Sequence, residues 1–332
     1  MKKVFSVVVA VLLAGAAVAA FGAGQKAEEG APLIGISKIV SHPALDAVEQ
    51  GIQDQLADMG YQVEYDLQNA NGEVSTAASI ANKFKSEKAD IAVGIATPTA
   101  QALVNALTDS TVVFTAVTDP VSAGLVESLE RSGPNVTGIS DMTPVREQIE
   151  FLNSVTPIKR LGHVYTSSEA NAVTLAKMAR EACGELGIQF VEATITNSAE
   201  VKQATQTIAG RVDGIYVSTD NTVVSALSAL TEVAMEHGIP VMSADPSSAE
   251  KFDVLAAWGF DYYKMGRATG RLIAELLEGA DPAGIPTRFM TDPEDIDLLI
   301  NLDVANKLGL SFPQDVMDSA STVVKNGELI KQ

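Results

Sequence analysis

Hydroxyls recur along the chain, without a carboxylate at Ser41-His42 and Thr97-Pro98-Thr99 and paired with one at Thr118-Asp119 and Ser140-Asp141. The same pairing continues at Ser167-Ser168-Glu169, Thr219-Asp220-Asn221 and Ser243-Ala244-Asp245. Each follows a short apolar run, and several lead directly into a helical pattern. A free helix start offers backbone N–H groups and a partial positive charge, which suit a carboxylate. Carboxylates nearby suit an ammonium. Gathered at one place, such residues would hold a small zwitterion. The candidate contacts are Ser41, His42, Thr97, Thr99, Asp119, Ser140, Asp141, Asp220, Asn221 and Asp245. Tyr165 and Phe260 are added as rings able to stack on a ligand side chain. Any one of the Ser, Thr, Asp or Asn residues serves equally well as a helix cap or turn residue. Their repetition at nearly every strand end is what points to a ligand.

The elements that must position them alternate between strand and helix. Leu33–Val40 reads as a buried strand, and Ala44–Met59 as an amphipathic helix that Gly60 stops. Strands at Gln62–Leu67, Asp90–Ile95 and Thr111–Ala116 alternate with helices at Ser75–Ser86 and Thr97–Leu107. The second half repeats the plan with strands at Arg160–Tyr165, Ile188–Thr194 and Asp213–Val217 and helices at Ala170–Leu186 and Ala199–Ala209. Local words repeat too. Lys88–Leu103 and Val212–Leu227 share strand, Thr-bearing turn and helix, and Thr118-Asp119-Pro120 is echoed by Ala244-Asp245-Pro246. Repeated strand–helix units predict an α/β fold with two doubly wound parallel-sheet lobes.

Three connections cross between the halves, near Ser140–Pro144, Gly259–Tyr262 and Asp295, and together predict a multi-strand hinge. The expected division is 32–140 with 262–294 for the N-terminal lobe, and 141–261 with 295–332 for the C-terminal lobe. Trp258 and Tyr263 read as packing residues of the hinge. Residues 1–20, with Lys2 and Lys3 before an apolar run and small residues after it, have the layout of a signal peptide. Residues 21–31 read as a flexible tether.

At a formal charge of −19 the chain is repelled by nucleic acid and anionic lipid, so neither is an expected partner. The single cysteine, Cys183, excludes an intrachain disulfide and leaves no lipid-anchor cysteine near the expected cleavage region. There is no phosphate-binding loop, no dinucleotide glycine pattern, no His-Glu-x-x-His, and three histidines in all. No cofactor or metal is expected, and the absence of catalytic patterns argues against an enzyme.

The stretch Ile34-Gly35-Ile36-Ser37-Lys38-Ile39-Val40-Ser41-His42-Pro43-Ala44-Leu45-Asp46 resembles the start of the mature domain in ABC-transporter substrate-binding proteins of the tryptophan/tyrosine-binding type. Ala96–Gln101, Val117–Val121, Thr219–Thr222 and Gly259–Tyr263 extend the resemblance in order along the chain. The resemblance implies a type I periplasmic-binding fold closing on a small ligand, an aromatic or other hydrophobic amino acid. It also implies delivery to a membrane permease driven by an ATPase, by a soluble, monomeric periplasmic protein. A sensory module for a membrane receptor and an exported enzyme are the alternatives.

Overall fold

The computed structural model describes residues 30–332. The expected signal peptide and nearly all of the expected tether lie outside the described residues. The first half runs β1 (Leu33–Lys38), α1 (Pro43–Asp58), β2 (Glu64–Asn69), α2 (Val74–Glu87), β3 (Ile91–Ile95), α3 (Thr97–Ala106), β4 (Thr111–Val117) and β5 (Val136–Ser140). Every residue of β3 and β5 is buried, as befits strands covered by helices on both faces.

The second half follows with α4 (Val145–Val155), β6 (Arg160–Thr166), α5 (Ala170–Leu186), β7 (Gln189–Ile195), α6 (Val201–Ala209) and β8 (Gly214–Val217). Next come α7 (Asn221–Ser225), α8 (Leu227–Glu236), β9 (Val241–Ser243), α9 (Pro246–Ala249) and β10 (Ala256–Phe260). The chain then supplies α10 (Tyr262–Leu277), β11 (Arg288–Phe289), β12 (Ile296–Asn301), α11 (Leu302–Leu308), α12 (Gln314–Ser319), β13 (Thr322–Lys325) and β14 (Glu328–Lys331).

Two sheets result. The six-stranded sheet has the order β11-β5-β4-β3-β1-β2 with all pairings parallel. The eight-stranded sheet has the order β14-β13-β12-β10-β9-β8-β6-β7 and is mixed, because β12 runs antiparallel to β10 and β14 antiparallel to β13. Three crossings connect them: β5 into α4, β10 into α10, and β11 into β12. The fold class is the α/β pair of doubly wound sheets read from the sequence. Sequence periodicity did not reveal α4, α12, β11, β13 or β14.

Local chemistry fixes the helix starts. Asp220, Asp245 and Asp261 cap α7, α9 and α10 by accepting from the N–H of Val223, Ser248 and Lys264. The helix expected after Thr219 breaks at Ala226 and resumes as α8. On the first sheet, α10 lies against α1 closely enough that a Cβ at Gly266 would stand 2.3 Å from the Val48 carbonyl oxygen. A Cβ at Gly51 would stand 2.3 Å from that of Tyr263, so glycine is required at both contacts. Among the described residues, no helix is long and apolar enough to cross a membrane.

Candidate functional site

The parallel strands of the two sheets end toward a shared, almost closed cavity with a free volume of about 10 Å³. His42, Ala44 and Leu45 reach it from the start of α1, Ala116 from the end of β4, and Tyr262 from the start of α10. Asp141 enters from the first crossing. Opposite stand Asn171, Thr219, Asp220, Asn221, Val224 and Asp245, at the strand ends and helix starts of the second sheet. The two sides touch: His42 Nδ1 lies 3.5 Å from the Ser248 hydroxyl of α9. Ala116 holds a left-handed backbone at φ +52°, within an irregularity of β4 pairing between Phe114 and Val117. That conformation is costly for a residue with a Cβ and is characteristic of functional sites.

Four polar atoms of the lining are buried without a hydrogen-bond partner: His42 Nε2, Asn171 Oδ1, Thr219 Oγ1 and Asp245 Oδ2. A buried polar group left unpaired costs about 1–3 kcal/mol, and native interiors rarely leave one so. Four at one cavity require complementary groups from a ligand or from water. Asp245 Oδ1 accepts from Ser248 N at 3.1 Å, so one oxygen caps α9 while the other is free toward the cavity.

The remaining carboxylates are differently engaged. Asp220 accepts from Thr166 N at 2.6 Å, Thr166 Oγ1 at 2.8 Å and Val223 N at 3.0 Å. Asp141 accepts from Tyr262 at 3.0 Å and from Thr118 Oγ1 at 3.3 Å. Asn221 donates to Glu169 at 2.5 Å, and Glu169 also accepts from the N–H and hydroxyl of Thr222. Burial pushes the Asp141 carboxyl up to about 6, against the pull of those hydrogen bonds. Burial, then the charge of Glu169, raises Asp220. Burial lowers His42, although the Asp245 charge opposes it, so the ring is held toward its neutral form. Among the described residues, no Lys or Arg lines the cavity. The result is a pocket rich in acceptors and in carboxylates, with an apolar wall of Leu45, Ala116 and Val224. Among the described residues, no group of three or more His, Cys, Asp or Glu side chains is arranged to hold a metal ion.

Of the residues singled out in the sequence, His42, Asp141, Asp220, Asn221 and Asp245 meet at this cavity. The others have local work. Ser41 is exposed and donates to Asp46 at 2.7 Å. Thr99 bonds back to the Ile95 carbonyl at 2.6 Å inside the α3 start, and Thr97 is buried away from the lining. Asp119 accepts from Val121 N at 3.1 Å and Ser122 N at 3.0 Å, closing a turn. Ser140 donates to the Thr118 carbonyl at 2.9 Å and shapes the first crossing. Tyr165 stacks on His163 with centroids 5.8 Å apart, and Phe260 packs in the core of the first sheet. Asn171, Thr219, Tyr262 and Ala116, with the apolar Ala44, Leu45 and Val224, complete the lining. Thr219 and Tyr262 adjoin capping aspartates, a signal in the sequence; nothing there marks Asn171 or Ala116.

A family model described as ABC transporter substrate binding protein matches residues 33–324. A tyrosine-binding protein of Clostridioides difficile (strain R20291) is 38% identical over 282 residues, covering 83% of this chain and 81% of that protein. A Streptococcus pneumoniae domain solved in complex with L-Trp superposes with TM-score 0.84 at 33% identity, over 89% of this chain and 100% of that one. The ligand-free, open structure of a Clostridium difficile substrate-binding protein with adhesive properties gives TM-score 0.66 at 37% identity, over 89% and 99%.

Proposed function

The chain belongs to the family of ABC transporter substrate-binding proteins and has their type I periplasmic-binding fold, and from that premise we propose that it captures an aromatic amino acid for import. It is a binding protein, not an enzyme, as its relatives are. The observation that carries the ligand class is the free oxygen of Asp245, which faces a cavity without Lys or Arg beside the unpaired acceptor of Asn171. An ammonium satisfies both acceptors. Thr219 Oγ1 and His42 Nε2 supply donors for the ligand carboxylate, and Leu45, Ala116 and Val224 accept the side chain. The tryptophan complex and the tyrosine-binding relative support an aromatic side chain.

In this reading the lobes are 32–140 with 262–294 and 141–261 with 295–332, and they close about the three crossings. Greater likeness to the tryptophan complex than to the open, ligand-free relative, despite lower identity, supports a closed arrangement here. Closure follows only if the ligand favours the closed form through contacts with both lobes, and the lining draws on both. The protein is a soluble periplasmic monomer, exported by its N-terminal segment, and an ABC permease with its ATPase receives the ligand from the closed form.

The test is a thermal-shift screen of the amino acids followed by calorimetry. A ligand at about 100 times its Kd stabilises the folded state by about 2.7 kcal/mol. Tryptophan, tyrosine or phenylalanine is expected to give the largest shift. Absence of a shift with all three removes the ligand class.

A further inference from the structure

Gln148 on α4 does not line the cavity, yet it is fully buried, with its amide nitrogen directed at two crossings and its oxygen at the second sheet. Its Nε2 donates to Thr143 Oγ1 at 2.6 Å and to the Trp258 carbonyl at 2.6 Å. Its Oε1 accepts from the Tyr216 hydroxyl at 2.6 Å. Thr143 belongs to the first crossing, Trp258 to the strand that becomes the second, and Tyr216 to β8 in the second sheet.

The sheet itself explains why a side-chain amide is needed. β10 pairs with β12 along its whole length, Ala256–Phe260, but with β9 only at Ala256 and Ala257. Beyond Ala257 the β9 side of β10 has no neighbouring strand, and Gln148 takes its place at the next carbonyl. The other links between crossings lie farther along. Tyr262 joins Asp141 at 3.0 Å, and Asp261 N donates to the Asp295 carbonyl at 2.8 Å. Between the Gln148 links and the Tyr262–Asp141 link stand Met142 on the first crossing and Gly259, Phe260 and Asp261 on the second.

We propose that Gln148 is a positioning residue of lobe closure: it binds the first two crossings to the second sheet and confines their rotation to Met142 and Gly259–Asp261. This rests on the reading that the lobes close on a ligand. Without Gln148 the crossings move separately, and the closed form is reached less often and left sooner.

The test uses the full chain with Gln148→Glu, Gln148→Leu and the milder Thr143→Ala, with L-tyrosine as probe. Gln148→Glu keeps the shape but turns an oxygen toward the Trp258 carbonyl, while Tyr216 keeps its acceptor. Stopped-flow fluorescence of Trp258, the sole tryptophan, reads release, and small-angle scattering reads the radius of gyration with and without tyrosine. Loss of hydrogen bonds of this kind is expected to speed tyrosine release by about tenfold in Gln148→Glu. The tyrosine-free variant is expected to have a larger radius of gyration than the tyrosine-free wild type. A merely structural role would lower the melting temperature and leave both quantities unchanged in the folded fraction; that result overturns the proposal. Should the Gln148 variants not melt cooperatively, Thr143→Ala decides by the same two readouts. If wild type does not bind tyrosine, that bears on the ligand and not on Gln148, and the scattering of the tyrosine-free variants alone decides the role of Gln148.

Discussion

Tyr262 donates its phenolic hydroxyl to Oδ2 of Asp141 at 3.0 Å, so a helix packed on the first sheet holds the carboxylate at the mouth of the first crossing. The bond sits at the cavity wall and at the hinge together. Tyr262→Phe leaves Asp141 with Thr118 as its side-chain donor. A hydrogen bond to a charged group is worth about 1.5–3 kcal/mol, so urea denaturation is expected to show a loss of that order. The Asp141 carboxyl, already near 6, is expected to rise further, which carbon-13 NMR titration reads directly.

Asp220 and Asp245 are equivalent in the sequence and differ in the structure. Asp245→Ala removes the free acceptor and is expected to weaken amino-acid binding well over tenfold, about 1.5–3 kcal/mol, with a smaller loss of stability. Asp220→Ala strips a cap and leaves Thr166 unpaired, so its main effect is on folding, about 1–2 kcal/mol. Calorimetry and denaturation of the two variants separate these outcomes. Equal losses of affinity would contradict the division of labour.

A third expectation concerns pH. Burial raises the Asp141 carboxyl from 3.8 to about 6, so the folded state favours the protonated form. The corresponding stability of the ligand-free protein is full below 3.8 and is lost as pH climbs to about 6. Asp220 is shifted in the same direction. An ammonium ligand reverses the preference, because it pairs with ionised carboxylates. Binding is therefore expected to tighten as pH rises through about 6, by up to tenfold per unit for each proton released. Calorimetry in buffers of different ionisation enthalpy counts the protons, and Asp141→Asn should flatten the slope.

Two glycines make a contrasting pair. A Cβ at Gly259 would stand 2.0 Å from the Ala244 carbonyl oxygen, and backbone cannot step aside cheaply. Gly259→Ala is expected to destabilise by about 1–3 kcal/mol. Gly184, on the exposed side of α5, has open space around it. Gly184→Ala is expected to stabilise by about 0.5–1 kcal/mol through helix propensity. Thermal melts of both variants check the signs.

Most of the first sheet was legible because its strands are continuous apolar runs and its helices carry stops such as Gly60. The Ala170–Leu186 helix has the limits read from sequence, since Gly187 ends it. The β13–β14 hairpin was not legible: its outer strand, Glu328–Lys331, is wholly exposed and lacks an apolar face pattern. At the cavity, the hydroxyl–carboxylate pattern marks the right strand ends but cannot rank them. Whether an aspartate has both oxygens engaged by protein donors, like Asp220, or keeps one free, like Asp245, depends on neighbours from other strands. Likewise Tyr165 has the composition of a stacking residue, but His163, two positions away on the same face of β6, already takes its ring.

The glycine-mediated contact of α1 with α10 has a temporal meaning. The first helix of the fold finds its partner only when the ribosome has passed Gly266, more than two hundred residues later. Contacts so distant in sequence slow folding, because the chain between them must be ordered first. The first sheet is thus unable to finish during the early part of synthesis.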